Sequence, residues 1–254
     1  MRATCTIRAL LGGIAAISLL TACPAPPRQE AGKLPGAAPQ TFGFTGPERT
    51  FRISPPESLV TVLVYRGGPL AAAGHNHVVA SHDVSGTVRL HPELARSAFG
   101  LELPVASLIV DDPEMRREAG PEFPPEVPDS AREGTRRNML SEAVLDAGRS
   151  PVIRVRSDSI VPGSEGLTAR IRVNLRGRDH VLDVPVSLEL SGDELRAAGE
   201  VTVSHAQLGL TPFSVLLGAL RVRDDLTIRY RIVARPVDSH SPRVPSEPGA
   251  GGAE

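Results

Sequence analysis

Between Leu167 and Leu175 every second residue is apolar: Leu167, Ala169, Ile171, Val173 and Leu175 alternate with Thr168, Arg170, Arg172 and Asn174. Successive side chains on a strand point to opposite faces, so this pattern makes a strand with one dry face and one wet face, whereas on a helix it would scatter. The alternation recurs in Leu182, Val184, Val186, Leu188 and Leu190, and again in Leu226, Ile228, Tyr230 and Ile232. Strands of this kind belong to antiparallel sheets packed on one side. Arg176-Gly177-Arg178-Asp179, between two of them, reads as a hairpin turn. Further strands are expected at 51–53 with 59–65, and at 76–81, 84–90, 99–110, 152–160 and 195–204, giving about eight or nine.

One helix is expected, capped by Asp129 or Ser130, with Met139, Leu140, Val144 and Leu145 at helical spacing and Gly148 as its stop. The polar, Pro-rich segment before it reads as a long loop, and the Leu216–Leu220 run reads as buried strand or core. The expected fold is all-β: an antiparallel, lipocalin-like barrel of about eight strands with one short helix, since closure removes the edges that would pair with other chains. Periodicity alone leaves a sandwich open. A barrel of about eight strands holds packed side chains or one elongated ligand.

The N-terminus reads as an address. Arg2 and Arg8 precede the apolar run Ala9–Leu20, which has the length of a signal-peptide core and is too short to span a bilayer as a helix. The run ends in Leu20-Thr21-Ala22-Cys23, which resembles the lipobox of bacterial lipoproteins. The resemblance implies a signal peptide at 1–22 and acylation of Cys23, and two or three acyl chains hold a protein on a membrane where one barely does. Pro24 stands where an Asp usually marks inner-membrane retention, so a periplasm-facing lipoprotein of the outer membrane is favoured. Residues 23–48, rich in Pro, Gly and Ala without a period, read as a tether. The barrel domain is expected at 49–235, and a tail without apolar periodicity at 236–254.

Composition narrows the function. Aromatics make up 3% of the chain, Trp is absent and the formal charge is -1, so no nucleic-acid partner is expected. The two cysteines, Cys5 and Cys23, precede the folded region, which therefore has no disulfide, thiol nucleophile or thiolate metal ligand. No H-E-x-x-H, G-x-S-x-G, G-x-G-x-x-G or P-loop occurs, and no enzyme is expected. His75 and His77 share a strand face and can offer two imidazoles to one metal ion, so the alternative function is a metal-binding protein or a metal-dependent envelope enzyme centred on them; a structural or hydrogen-bonding role is the commoner reason for such a pair. Asp111-Asp112 reads as loop charges facing Arg116, Arg117, Arg136 or Arg137 rather than as an acid/base pair.

Four stretches, in order, resemble the YceI-like family of periplasmic, lipocalin-like barrels that bind polyisoprenoids and related amphiphiles. They are Phe51-Arg-Ile-Ser with Glu57-Ser-Leu-Val-Thr-Val; Thr135-Arg-Arg-Asn-Met-Leu-Ser-Glu-Ala-Val-Leu-Asp146 with Ser150-Pro-Val-Ile-Arg-Val-Arg-Ser157; Val173-Asn-Leu-Arg-Gly177 with Val184-Pro-Val-Ser-Leu188; and Leu208-Gly209 with Val222-Arg-Asp224. The chain departs from the family at Glu57-Ser58, often His-Ser there, and at Val144-Leu145, where an aromatic is usual. It also adds Gly74-His75-Asn76-His77. The resemblance implies a cavity for an isoprenoid or quinone-like tail, no catalysis and no other cofactor. Leu63, Tyr65, Ile171, Val173, Val184, Val186, Ile228 and Tyr230 are the expected cavity lining, and His75, Asn76 and His77 are candidate headgroup contacts.

Overall fold

The computed structural model describes residues 47–163 and 166–237. The signal segment, Cys23 and the tether up to residue 46 lie outside the described residues, as does the tail from residue 238.

Three early strands are broken, each for a local reason. Strand β1 (Arg49–Ile53) turns Phe51 and Ile53 inward, where both are buried. Pro55 and Pro56 then lack the N–H groups that a ladder needs, and a 3₁₀ turn at Pro55–Glu57 intervenes before β2 (Leu59–Gly67). Strands β3 (His77–Ser81) and β4 (Ser85–Leu90) form the second broken strand. The third is β5 (Ala98–Pro104) and β6 (Ile109–Val110), interrupted after Pro104 by a 3₁₀ turn at Val105–Ser107. The strands that follow are longer: β7 (Val152–Gly163), β8 (Gly166–Leu175), β9 (Arg178–Ser191), β10 (Glu194–Ser204), the two-residue β11 (Ser214–Val215) and β12 (Leu220–Pro236).

All pairings are antiparallel, and the order β1-β4-β5-β7-β8-β9-β10-β12 closes on itself where Ile53 lies opposite Ala234. The result is an eight-stranded barrel. β12 carries β10 on one edge and β2, then β1, on the other, so the broken pair β1–β2 serves as one stave. Beyond β2 the sheet runs on through β3 to β6. Arg176 and Gly177 join β8 to β9 with φ of 52° and 72°, the twice-positive φ of a type I′ hairpin and the turn expected there.

The β9–β10 ladder stops early. Pairing ends at Ala198 opposite Ser187, although β10 continues to Ser204 and β9 begins at Arg178. Pro185 lies just past this point. It cannot donate to a neighbouring strand, which is why proline is tolerated here.

Two helices are present among the described residues. α1 (Pro113–Ala119) arises inside the segment read as loop: Asp112 caps it by accepting from the Glu114 and Met115 N–H groups, and Pro113 stands at a first-turn position that suits it. α2 (Asp129–Leu140) ends at Ser141, short of the expected stop, and Val144 and Leu145 reach the core from the turn that follows. Leu217, expected as core, is fully exposed with φ of 55°. Alternating strand direction gathers the β2–β3 loop, α1, α2, the Arg176–Gly177 turn and the 205–219 connection at one end of the barrel.

Candidate functional site

The inner faces of the staves enclose a cavity of about 360 Å³. Its wall is the apolar half of each alternating strand: Ala169, Ile171 and Val173 from β8, Val184 and Val186 from β9, and Ile228 from β12. On the wet half, Arg170 pairs with Asp183 and Arg172 with Asp158 outside the barrel. Among the described residues three polar side chains reach the wall, Ser97, His205 and Tyr230, and each has a hydrogen bond to backbone. Ser97 Oγ accepts from the His91 N–H at 2.9 Å, His205 Nδ1 lies 2.8 Å from the Asp224 carbonyl, and the Tyr230 hydroxyl donates to the Pro185 carbonyl. A wall this apolar offers water few partners and suits a hydrocarbon chain.

Tyr230 also explains Gly199. The two face each other across β12 and β10, and a Cβ at Gly199 would collide with the Tyr230 hydroxyl and the Pro185 carbonyl. The missing side chain lets the phenol pass over β10 to β9, where it bonds a carbonyl that the shortened ladder leaves without a strand partner. Burial pushes the Tyr230 phenol up to about 12.

Of the expected lining residues, Ile171, Val173, Val184, Val186, Ile228 and Tyr230 stand on the cavity wall. Leu63 and Tyr65 do not, and that expectation is corrected. The turn from Ser54 to Ser58 shifts the alternation between β1 and β2, so Val60, Val62 and Val64 face the cavity instead. Leu63 packs behind the sheet with Val78 and Phe123, and the Tyr65 ring lies 5.6 Å from that of Phe123. Because Leu59–Tyr65 is apolar on both faces, no pattern in it distinguishes the two registers. His205, in turn, continues the inward parity of Val201 and Val203 on β10, a signal available in the alternation but not drawn from it.

His75, Asn76 and His77 are not on the cavity wall. Pairing of β3 with β6 brings Asp111 to them: His77 Nδ1 lies 2.7 Å from Asp111 Oδ2, and His75 Nε2 lies 4.0 Å from the same oxygen. Asp111 is wholly buried with φ of 55°, a left-handed conformation that Asp tolerates better than most residues. Its Oδ1 accepts from the Val78 N–H at 2.9 Å and from Arg116, an equally buried guanidinium that also donates to the carbonyls of Pro124 (2.6 Å) and Asn76 (2.7 Å). Burial raises the Asp111 carboxyl, but the His77 hydrogen bond and the other partners outweigh it and hold the group below the usual carboxylate range. Burial, with the neighbouring His77, lowers the His75 imidazole. Asp111 thus faces Arg116 as expected, though buried rather than on a loop surface. Asp112 turns away to cap α1, so the two carboxylates do not form an acid/base pair.

No protein-family profile matches the sequence, and no curated protein does. Solved structures do match. BcnA of Burkholderia cenocepacia aligns with a TM-score of 0.53 at 15% identity, over 71% of this chain and 98% of that one. The fold is YceI-like. A polyisoprenoid-binding domain from Saccharophagus degradans, implicated in plant cell wall breakdown, aligns at 10% identity over 74% of this chain and 98% of that one, with a TM-score of 0.48. The YceI protein of Campylobacter jejuni aligns at 11% identity over 60% and 81%, with a TM-score of 0.40. At these identities the likeness to BcnA is one of fold.

Proposed function

We propose that this chain is a non-catalytic binding protein of the cell envelope, which holds or shuttles an isoprenoid, quinone-like or other amphiphilic lipid in its barrel. The observation that carries this reading is the cavity wall, apolar around the whole barrel, with its three polar groups bonded to backbone. By the methylene rule, a buried five-carbon isoprene unit contributes about 4 kcal/mol. Association costs are of that size or larger, so a tail of several units is needed for firm binding, and a small metabolite does not suffice. The cavity is of the size of known ligand sites, which start near 300 Å³. The seam between β9 and the last part of β10 has no ladder pairs beyond Ala198 and is bridged by Tyr230, so the wall can open there without breaking a ladder.

Acylated Cys23 would tether the barrel to a membrane, facing the periplasm and favouring the outer membrane, with residues 23–48 as the leash. That position supplies the tails the cavity suits. The test is native mass spectrometry with lipid extraction on a Cys23→Ser form purified from its own or a related bacterial envelope. One equivalent of an isoprenoid, quinone or lipid released on denaturation is expected. Protein that carries no lipid and does not take up an added isoprenoid alcohol refutes the reading.

A further inference from the structure

His75 Nε2 is buried and has no hydrogen-bond partner, although every other nitrogen and oxygen of the cluster except Arg116 Nη2 is bonded or reaches solvent. The arrangement around it is built. His75 and His77 sit two apart on extended chain, so their rings project to the same side, with centroids 4.6 Å apart. Asn76 between them is pinned from three directions. Its Oδ1 accepts from the Arg66 N–H at 3.0 Å, its Nδ2 donates to the Glu122 carbonyl at 3.0 Å, and its own carbonyl accepts from Arg116. Val78 and Arg116 together occupy Asp111 Oδ1, which leaves Oδ2 to face the histidines.

We propose that His75, His77 and Asp111 bind one divalent transition-metal ion of the zinc class. One ligand atom from each of the three lies within 4.8 Å of the others. Two ligand atoms on one zinc ion lie at most about 4 Å apart, so the 4.0 Å between His75 Nε2 and Asp111 Oδ2 is already of metal size and the widest pair needs to close by less than about 1 Å. On binding, the ion takes the place of the hydrogen between His77 Nδ1 and Asp111 Oδ2: a neutral ring moves that proton to Nε2, and a protonated ring releases it to solvent. Two imidazoles and a carboxylate suit zinc, cobalt or nickel better than calcium or magnesium, which take oxygen ligands. Three protein ligands leave a fourth position for water. Arg116 and the Val78 N–H supply outer hydrogen bonds that orient Asp111, and Asn76 pins the backbone between the two histidines. The site lies off the cavity wall, so it is independent of the lipid reading.

The test uses the full chain in mild detergent without a polyhistidine tag, titrated with Zn²⁺ by calorimetry and with Co²⁺ by visible absorption. One saturable equivalent is expected, with the intense bands of low-coordinate cobalt, and His75→Gln and His77→Gln should each weaken binding at least tenfold. Circular dichroism checks that the variants fold. If His77→Gln unfolds, His75→Gln decides alone, because the His75 ring makes no hydrogen bond that its replacement would break. Absence of saturable uptake, or uptake unchanged in the His75→Gln/His77→Gln variant, overturns the proposal.

Discussion

Replacing Asp111 by Asn is expected to destabilise the protein by about 3 kcal/mol, at the lower end of the cost of breaking a buried ion pair. The size follows from what Asn keeps and what it loses. Its amide oxygen still accepts from the Val78 N–H, and Asn tolerates φ of 55° as well as Asp does. The charge is lost, and Arg116 is left wholly buried with neutral acceptors alone: the amide oxygen that replaces Oδ1 and the Pro124 and Asn76 carbonyls. Asp111→Ala should cost more, by about 1–2 kcal/mol for the left-handed conformation alone. Arg116→Met by itself strands a buried carboxylate and two carbonyls. The double variant Asp111→Asn/Arg116→Met removes both charges, so its cost should fall short of the sum of the single costs by at least about 1 kcal/mol. Urea unfolding followed by circular dichroism, in the presence of a chelator so that no ion contributes, measures all four proteins. A cost below about 1 kcal/mol for Asp111→Asn, or strict additivity, would refute the reasoning.

The two faces of β2 and β8 should separate stability from binding: Leu63→Ala is expected to cost about 2–5 kcal/mol while leaving lipid uptake intact, and Ile171→Trp to abolish uptake of an isoprenoid alcohol by filling the lumen, as read by urea unfolding and native mass spectrometry. Tyr230→Phe leaves the Pro185 carbonyl without its donor and should cost about 1 kcal/mol. The chain has only two tyrosines, so ultraviolet titration should show one phenol ionising at about 12, and Tyr230→Phe should remove that step. Because the folded value is raised, the stability Tyr230 contributes is complete below its ordinary range near 10 and is lost as pH rises through about 12. The Glu57 carboxylate, hydrogen-bonded by Arg235 and Ser54, is held at about 2, so its contribution is present above its ordinary value and is lost only as pH falls toward about 2; carbon-detected NMR of the Glu57 carboxyl reads the midpoint directly.

The sequence by itself determined the fold class and most of the cavity wall. Alternation in 167–175, 182–190 and 226–232 decides which side chains share a face, and Ile171, Val173, Val184, Val186, Ile228 and Tyr230 stand together on the wall because each strand carries its own record of dry and wet. The Arg176-Gly177 turn was equally legible, since its type demands positive φ. What tertiary structure decided are relations that no single strand records. The turn at Ser54–Ser58 shifts the alternation before β2, and a stretch apolar on both faces carries no sign of the shift, so Leu63 and Tyr65 go behind the sheet. α1 is too short for apolar periodicity to show, and only its cap, Asp112-Pro113, marks it. Asp111 meets His77 across 34 residues of chain because β6 pairs with β3, and Arg116 is buried because those partners offset the cost of desolvating it. Alternation is local, written along one strand. Convergence depends on which strands become neighbours, and that is decided when the barrel closes.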